Sequence, residues 1–119
     1  MLPTNFDTLA AEHPQLKRAL LEIREWIRTH PDWNVLDPRV LSESLRKVDS
    51  FTLAYALHLL VQHGLLRQVY MVVTPSGVLA EGEYDDPKKI PLKVPDRFNN
   101  YFETSEADIV PVLIAANDR

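Results

Sequence analysis

From Ser50 to His63 the chain carries no Lys, Arg, Asp or Glu. Asp49 stands just before this run, where a side-chain oxygen accepts a hydrogen bond from a free helix N–H. Gly64 stands just after it and is followed by the apolar Leu65, the pattern that ends a helix in a left-handed residue. The spacing therefore predicts a helix from Asp49 to Gly64 with no ionic side on which to meet water. At about 100° per residue, Leu53, Leu57, Leu60 and Val61 gather on one side, with Ala54 at its margin. These are the expected core. Phe51, Thr52, Tyr55, Leu59 and Gln62 gather opposite, with His58 and His63 at the edges. Whatever folds around this helix has to account for both sides.

The flanking sequence supplies its neighbours. Residues 1–12 read as a lead-in with a short helical turn around Phe6 to Ala11. Pro14 suits a first helical position, and Leu16, Leu20, Ile23 and Ile27 then recur at helical spacing, flanked by Ala19 and Trp26. Lys17, Arg18, Arg24, Glu25 and Arg28 occupy the opposite side, giving an amphipathic helix that closes before Pro31. Asp37-Pro38 starts a short second helix to about Arg46, with Val40, Leu41 and Leu45 expected inside. Trp33 to Leu36 is a short strand or an extended linker. Lys47-Val48-Asp49 then separates the second helix from the third by the few residues of a helix-turn-helix.

Beyond the helices the pattern changes period. Leu65 to Thr74 is rich in β-branched and aromatic residues, and Val78 to Tyr84 is a candidate partner strand. Pro75-Ser76-Gly77 between them provides turn chemistry, with proline at the second position and glycine at the fourth. Glu83 to Asp96, with three prolines and mixed charge, reads as a connector. Arg97 to Phe102 is expected to make one helical turn that aligns Phe98, Tyr101 and Phe102. Ile109 to Ala115 is a buried-strand candidate that Pro111, lacking an N–H, places at a sheet edge or a bulge; it is expected to dock beside the hairpin. No repeat or internal boundary interrupts the chain, so one domain over residues 1–119 is expected, with an extension over about 85–119.

Helix, helix, helix, hairpin is the order of a winged helix. Through Asp37, Pro38, Leu41, Leu45, Leu53, Leu57, Gly64, Leu65 and Tyr70, and the run Y-x-V-x-x-P-S-G from Tyr70 to Gly77, the chain resembles the winged helix-turn-helix superfamily over about residues 14–84. The resemblance implies an α+β fold, a winged helix, to which the C-terminal extension is expected to add an edge strand. It also implies one of two roles, since the superfamily includes DNA binders and protein-interaction modules.

The third helix discriminates between them. A DNA-reading helix offers Arg, Asn or Gln to base edges amid cations for phosphates. Here only Gln62 has base-reading chemistry, and the wing tip, Thr74 to Gly77, has no cation. Net charge is −4, whereas nucleic-acid binders more often present a basic domain or face. The alternative, a DNA-binding transcriptional regulator, would contact nucleic acid through Arg46, Lys47, His58, Gln62 and Arg67. Lys88, Lys89 and Lys93 add a further spread of cations, which reads as solvated surface charge. The leading expectation is a protein-interaction module, an adaptor or regulatory subunit. Phe51, Thr52, Tyr55, Leu59 and Gln62 would bind a protein partner or a second copy, because aromatic residues concentrate in interface cores. The competing expectation is that the chain's own C-terminal extension covers Phe51, Tyr55 and Leu59.

Other function classes find little support. There is no cysteine, so no disulfide, thiol nucleophile or cysteine-based metal site can form. His13, His30, His58 and His63 include no i, i+4 pair. The scattered Gly64, Gly77 and Gly82 cannot form a phosphate-cradling loop, and the carboxylate pairs Glu81/Glu83 and Asp85/Asp86 lack pocket-forming neighbours. No enzyme activity, cofactor or metal is expected. Residues 1–15 lack a basic region before an apolar run, so no signal peptide is expected. No stretch approaches the 18 apolar residues of a membrane span. A cytoplasmic location, with no membrane partner, follows as the default.

Overall fold

The structure, a computed structural model, describes residues 5–116. The fold is α+β, and the chain divides into two compact units. One comprises the chain up to Arg67 together with Leu113 onward; the other is Gln68–Val112.

The first unit is helical: α1 (Asn5–Glu12), α2 (Lys17–Thr29), α3 (Pro38–Ser44) and α4 (Ser50–Gln62). The expected short turn near Phe6 is a full helix. Phe6, Leu9 and Ala10 are buried where α1 packs on α2, and Asp7 pairs with Arg24 across the two helices. Pro14 opens a 3₁₀ turn, Pro14–Leu16, that leads into α2. The apolar stripe points inward: Leu16 of that turn and Ala19, Leu20 and Ile23 of α2 are buried, and Trp26 and Ile27 are half-buried.

Asp37 caps α3 as its position predicts, its Oδ1 accepting from Arg39 N at 3.0 Å. Leu41 and Leu45 face the core, but Val40 does not: it is 52% exposed. It sits about 100° round the axis from Leu41, and a helix this short turns only one side inward. Between α2 and α3, Leu36 forms a single antiparallel bridge with Leu113 instead of a strand. α4 ends as its glycine requires. Leu65 N donates to Leu60 O and Gly64 N to Val61 O, both at 3.0 Å, while Gly64 adopts φ 75°. This doubly bonded closure satisfies carbonyls that a helix end otherwise leaves free.

β1 (Leu66–Val72) and β4 (Ile109–Ala115) hydrogen-bond to each other, and the unit boundary falls inside both strands. The C-terminal strand thus docks beside the first strand of the hairpin, as expected. Within Gln68–Val112, the predicted turn is present: Gly77 N donates to Thr74 O at 2.9 Å, and Gly77 takes φ 92°. The returning arm, however, is not the continuous strand expected over Val78 to Tyr84. Ala80 N donates to Val72 O, and Tyr84 exchanges both backbone bonds with Tyr70. Moving from one pair to the next takes two residues on β1 and four on the arm, so Glu81, Gly82 and Glu83 bulge out of register.

The expected connector also holds structure. Pro87–Lys89 forms a 3₁₀ turn, and β2 (Lys93–Pro95) pairs antiparallel with β3 (Tyr101–Glu103), Val94 opposite Phe102. A hairpin therefore replaces the helical turn expected over Arg97 to Phe102. Asp96 explains the change. Its Oδ1 accepts from Phe98 N at 2.8 Å and Asn100 N at 2.9 Å, and Asn99 takes φ 66°. An acidic side chain that bonds the backbone just ahead of it stabilises a tight turn in place of a helix. Consequently Phe98 (84% exposed) and Tyr101 (70%) face solvent, while Phe102 lies half-buried across from buried Val94.

Candidate functional site

α4 is the element on which the two expectations for its outer side diverge, and side-chain exposure distinguishes them. Asp49 holds the helix start, accepting from Thr52 N at 2.8 Å and from Thr52 Oγ1 at 2.9 Å. These two bonds hold the Asp49 carboxyl below its ordinary pKa. From that anchored start Leu53, Ala56, Leu57 and Leu60 turn into the core, with Val61 half-buried against it. Ala54, placed at the core margin by its sequence position, is exposed.

The opposite side divides. Phe51 is 89% exposed and Tyr55 64%, so no part of the described chain covers them. Gln62 is exposed, and Thr52 is half-buried with its hydroxyl bonded to Asp49. Leu59 departs from the expectation: only 5% of it is exposed, and it belongs to the helical core. It lies about 40° from Tyr55 round the axis, just across the line where packing begins. His58 takes its place on the open side. The stripe that faces solvent is therefore Phe51, Tyr55, His58 and Gln62, flanked by Ser50 and Ala54, uncharged throughout.

Of the cations weighed for nucleic acid, Arg46 and Lys47 are exposed in the turn before α4, and Arg46 Nε reaches only Glu43 O at 3.3 Å. Arg67 is half-buried, with an Nε that meets no hydrogen-bond partner. A further cation nearby, Arg39 on α3, is committed to Asp37: its Nη2 lies 2.7 Å from Asp37 Oδ2 and its Nε 3.1 Å from Oδ1. Burial works to raise the Asp37 pKa, but the hydrogen bonds and charge of Arg39 outweigh it and hold the carboxyl below its ordinary value.

Other chemistry-bearing residues are engaged in structure. His30 closes α2, its ring stacked on Trp26 at 4.0 Å and its Nδ1 2.8 Å from Trp26 O. Glu81 stands 3.9 Å from Arg97, Asp85 pairs with Lys89 at 3.3 Å, and Asp86 caps the turn at Lys88 N. Among the described residues no three His, Asp or Glu side chains converge as a metal site. No helix there is long and apolar enough to cross a membrane.

Sequence reasoning missed a small cleft of about 170 Å³ within Gln68–Val112, lined by residues that include Val72, Tyr84, Val94 and Asp96. It also missed the exposure of Leu92, at 85%. The cleft joins residues far apart in the chain, and no spacing signal marks it. No family model matches the chain, and neither a curated protein nor a solved structure gives a significant match.

Proposed function

We propose that the chain is a non-enzymatic protein-interaction module of winged-helix type, an adaptor or regulatory subunit, that engages protein through the open side of α4. The observation that carries this reading is the exposure of Phe51 and Tyr55 on a helix with no ionic residue. Burying an exposed aromatic side chain is worth roughly 1.5–3 kcal/mol. Two of them one turn apart make a contact of the kind that dominates interfaces. The winged-helix part of the reading is supported by the order α2, the Leu36 bridge, α3, α4 and β1, with β4 returning beside β1. Nucleic-acid recognition is weakened by the stripe itself, because two aromatic rings occupy the ground where phosphate-binding cations would stand.

The test is affinity capture from the native host with the wild-type chain and with a Phe51→Glu/Tyr55→Glu variant whose circular dichroism is unchanged. Proteins held by the wild type and lost by the variant support the reading. Identical captured sets, or a shift of random duplex DNA at low salt, would sink it.

A further inference from the structure

We infer that the open side of α4 docks against the same surface of a second copy, the two helices running antiparallel about a two-fold axis. The inference rests on the reading that this surface meets protein, and it names the occupant.

The stripe is self-complementary. Phe51, Tyr55, His58 and Gln62 are spaced four, three and four residues apart, a pattern that reads the same from either end. They lie within about 60° of one another round the axis and extend along roughly 16 Å of helix. A two-fold axis passing between Tyr55 and His58 sets each Tyr55 against His58 of the second copy, and each Phe51 against its Gln62. That is the isologous contact closed dimers use. Ala54, small and exposed beside Tyr55, lets the two helices approach closely.

Charge supports the same occupant and orientation. The acidic excess of the chain, −4 overall, falls on Gln68–Val112, whereas basic and acidic residues balance in the unit that contains α4. The unit that contains α4 therefore brings no net charge of its own to the contact. The antiparallel arrangement also brings the exposed Arg46 and Lys47, just ahead of one α4, beside the C-terminal end of the other. That end is the negative pole of the helix dipole. A parallel pair would place these cations next to each other.

Two aromatic side chains bury about 300–500 Å² per copy, at or below the low end of specific interfaces, where association is weak and transient.

Sedimentation equilibrium of the full chain from about 5 μM to 1 mM tests this. The weight-average mass should rise from 13.7 kDa towards twice that value; a constant 13.7 kDa over the whole range overturns the inference. Tyr55→Glu and, as a second probe at the other aromatic, Phe51→Glu should each weaken association at least about tenfold. Association unchanged in both also overturns it. Mixing Tyr55→Glu with His58→Lys tests the register, because only the mixed pair sets the introduced carboxylate of one copy against the introduced ammonium of the other. The mixture should associate more strongly than either variant by itself, and a mixture no stronger than its components rejects the antiparallel pairing. A monomeric chain whose captured partners still depend on Phe51 and Tyr55 would remove the dimer and leave the proposed function intact.

Discussion

Leu36 and Leu113 exchange both of their backbone hydrogen bonds, Leu36 N to Leu113 O at 2.7 Å and Leu113 N to Leu36 O at 2.9 Å. Both side chains are buried in the helical core. One residue from the link between α2 and α3 and one from β4 thereby close the helical unit. Leu36→Ala would leave a cavity at a fully buried position, at a cost of about 2–5 kcal/mol. The expected result in urea is a lower midpoint with an unchanged slope. A midpoint within error of wild type would show that the bridge region is dispensable.

The two sides of α4 should respond oppositely to truncation. Phe51→Ala removes a ring that is 89% exposed and should change stability by no more than about 0.5 kcal/mol. Leu59→Ala empties a core site and should cost about 2–5 kcal/mol. Thermal unfolding of the two variants side by side makes the comparison, and similar losses in both would mean that the helix is rotated from the orientation described.

Gly64→Ala isolates the cost of a backbone conformation. The added Cβ would meet nothing within 4 Å, and φ stands at 75°. The penalty is therefore the left-handed backbone alone, about 1–2 kcal/mol. Gly64→Asn should recover part of it, since asparagine tolerates that region better. Chemical denaturation of both variants gives the ranking glycine, asparagine, alanine; alanine equal to glycine contradicts the assigned helix end.

Acid should act through the caps of α3 and α4. Asp37 and Asp49 are both held below the ordinary aspartate value of 3.8 in the folded chain. A depressed folded-state pKa means that the stability these groups contribute is fully present above the unfolded value. It is lost as pH falls below that value and through the folded one. Unfolding free energy measured between pH 6 and pH 2 should decline below about pH 4, with a shallower decline in Asp37→Asn and Asp49→Asn. Unaltered pH profiles in both variants would show that these carboxyls titrate as in the unfolded chain.

Stacking at the end of α2 gives an optical prediction. The His30 ring lies 4.0 Å from the Trp26 ring, nearly parallel at 11°. His30→Ala removes the stacking partner and the Nδ1 contact to Trp26 O. It should change the tryptophan emission and lower the melting temperature by a few degrees, about 1 kcal/mol in a domain of this size. Identical spectra would show that the rings are apart in solution.

The local signals that read correctly from sequence share one physical basis: each depends on groups a few residues apart. Asp37 and Asp49 cap helices because their carboxylates reach N–H groups two or three residues on, and Gly64 ends α4 because of its own φ. The Leu16–Leu20–Ile23 stripe and the turn at Thr74–Gly77 are likewise local. Readings failed where distant packing chose among local options. Val40 and Leu59 sit at the edges of apolar faces, where helical periodicity leaves the side undecided and the neighbouring elements settle it. At Arg97–Phe102 an aromatic period suggested a helix, but the Asp96 carboxylate and pairing with Lys93–Pro95 favoured a hairpin. Lys93–Pro95 and Tyr101–Glu103, neither with a strand-length signal, became strands only through each other, and Glu81, Gly82 and Glu83 interrupt the strand expected over Val78 to Tyr84.

For the candidate surface the division is similar. By itself the amino-acid order determined that the helix opened by Asp49 and closed by Gly64 would carry no ionic side, because the residues between them include no Lys, Arg, Asp or Glu. Only the tertiary structure decided which of its apolar residues remain uncovered. That choice depends on whether other segments lie over each position, and segments far away in the chain leave no mark at Phe51, Tyr55 or Leu59. Packing buried Leu59 and left the two aromatic rings in water, and from that the proposed role follows.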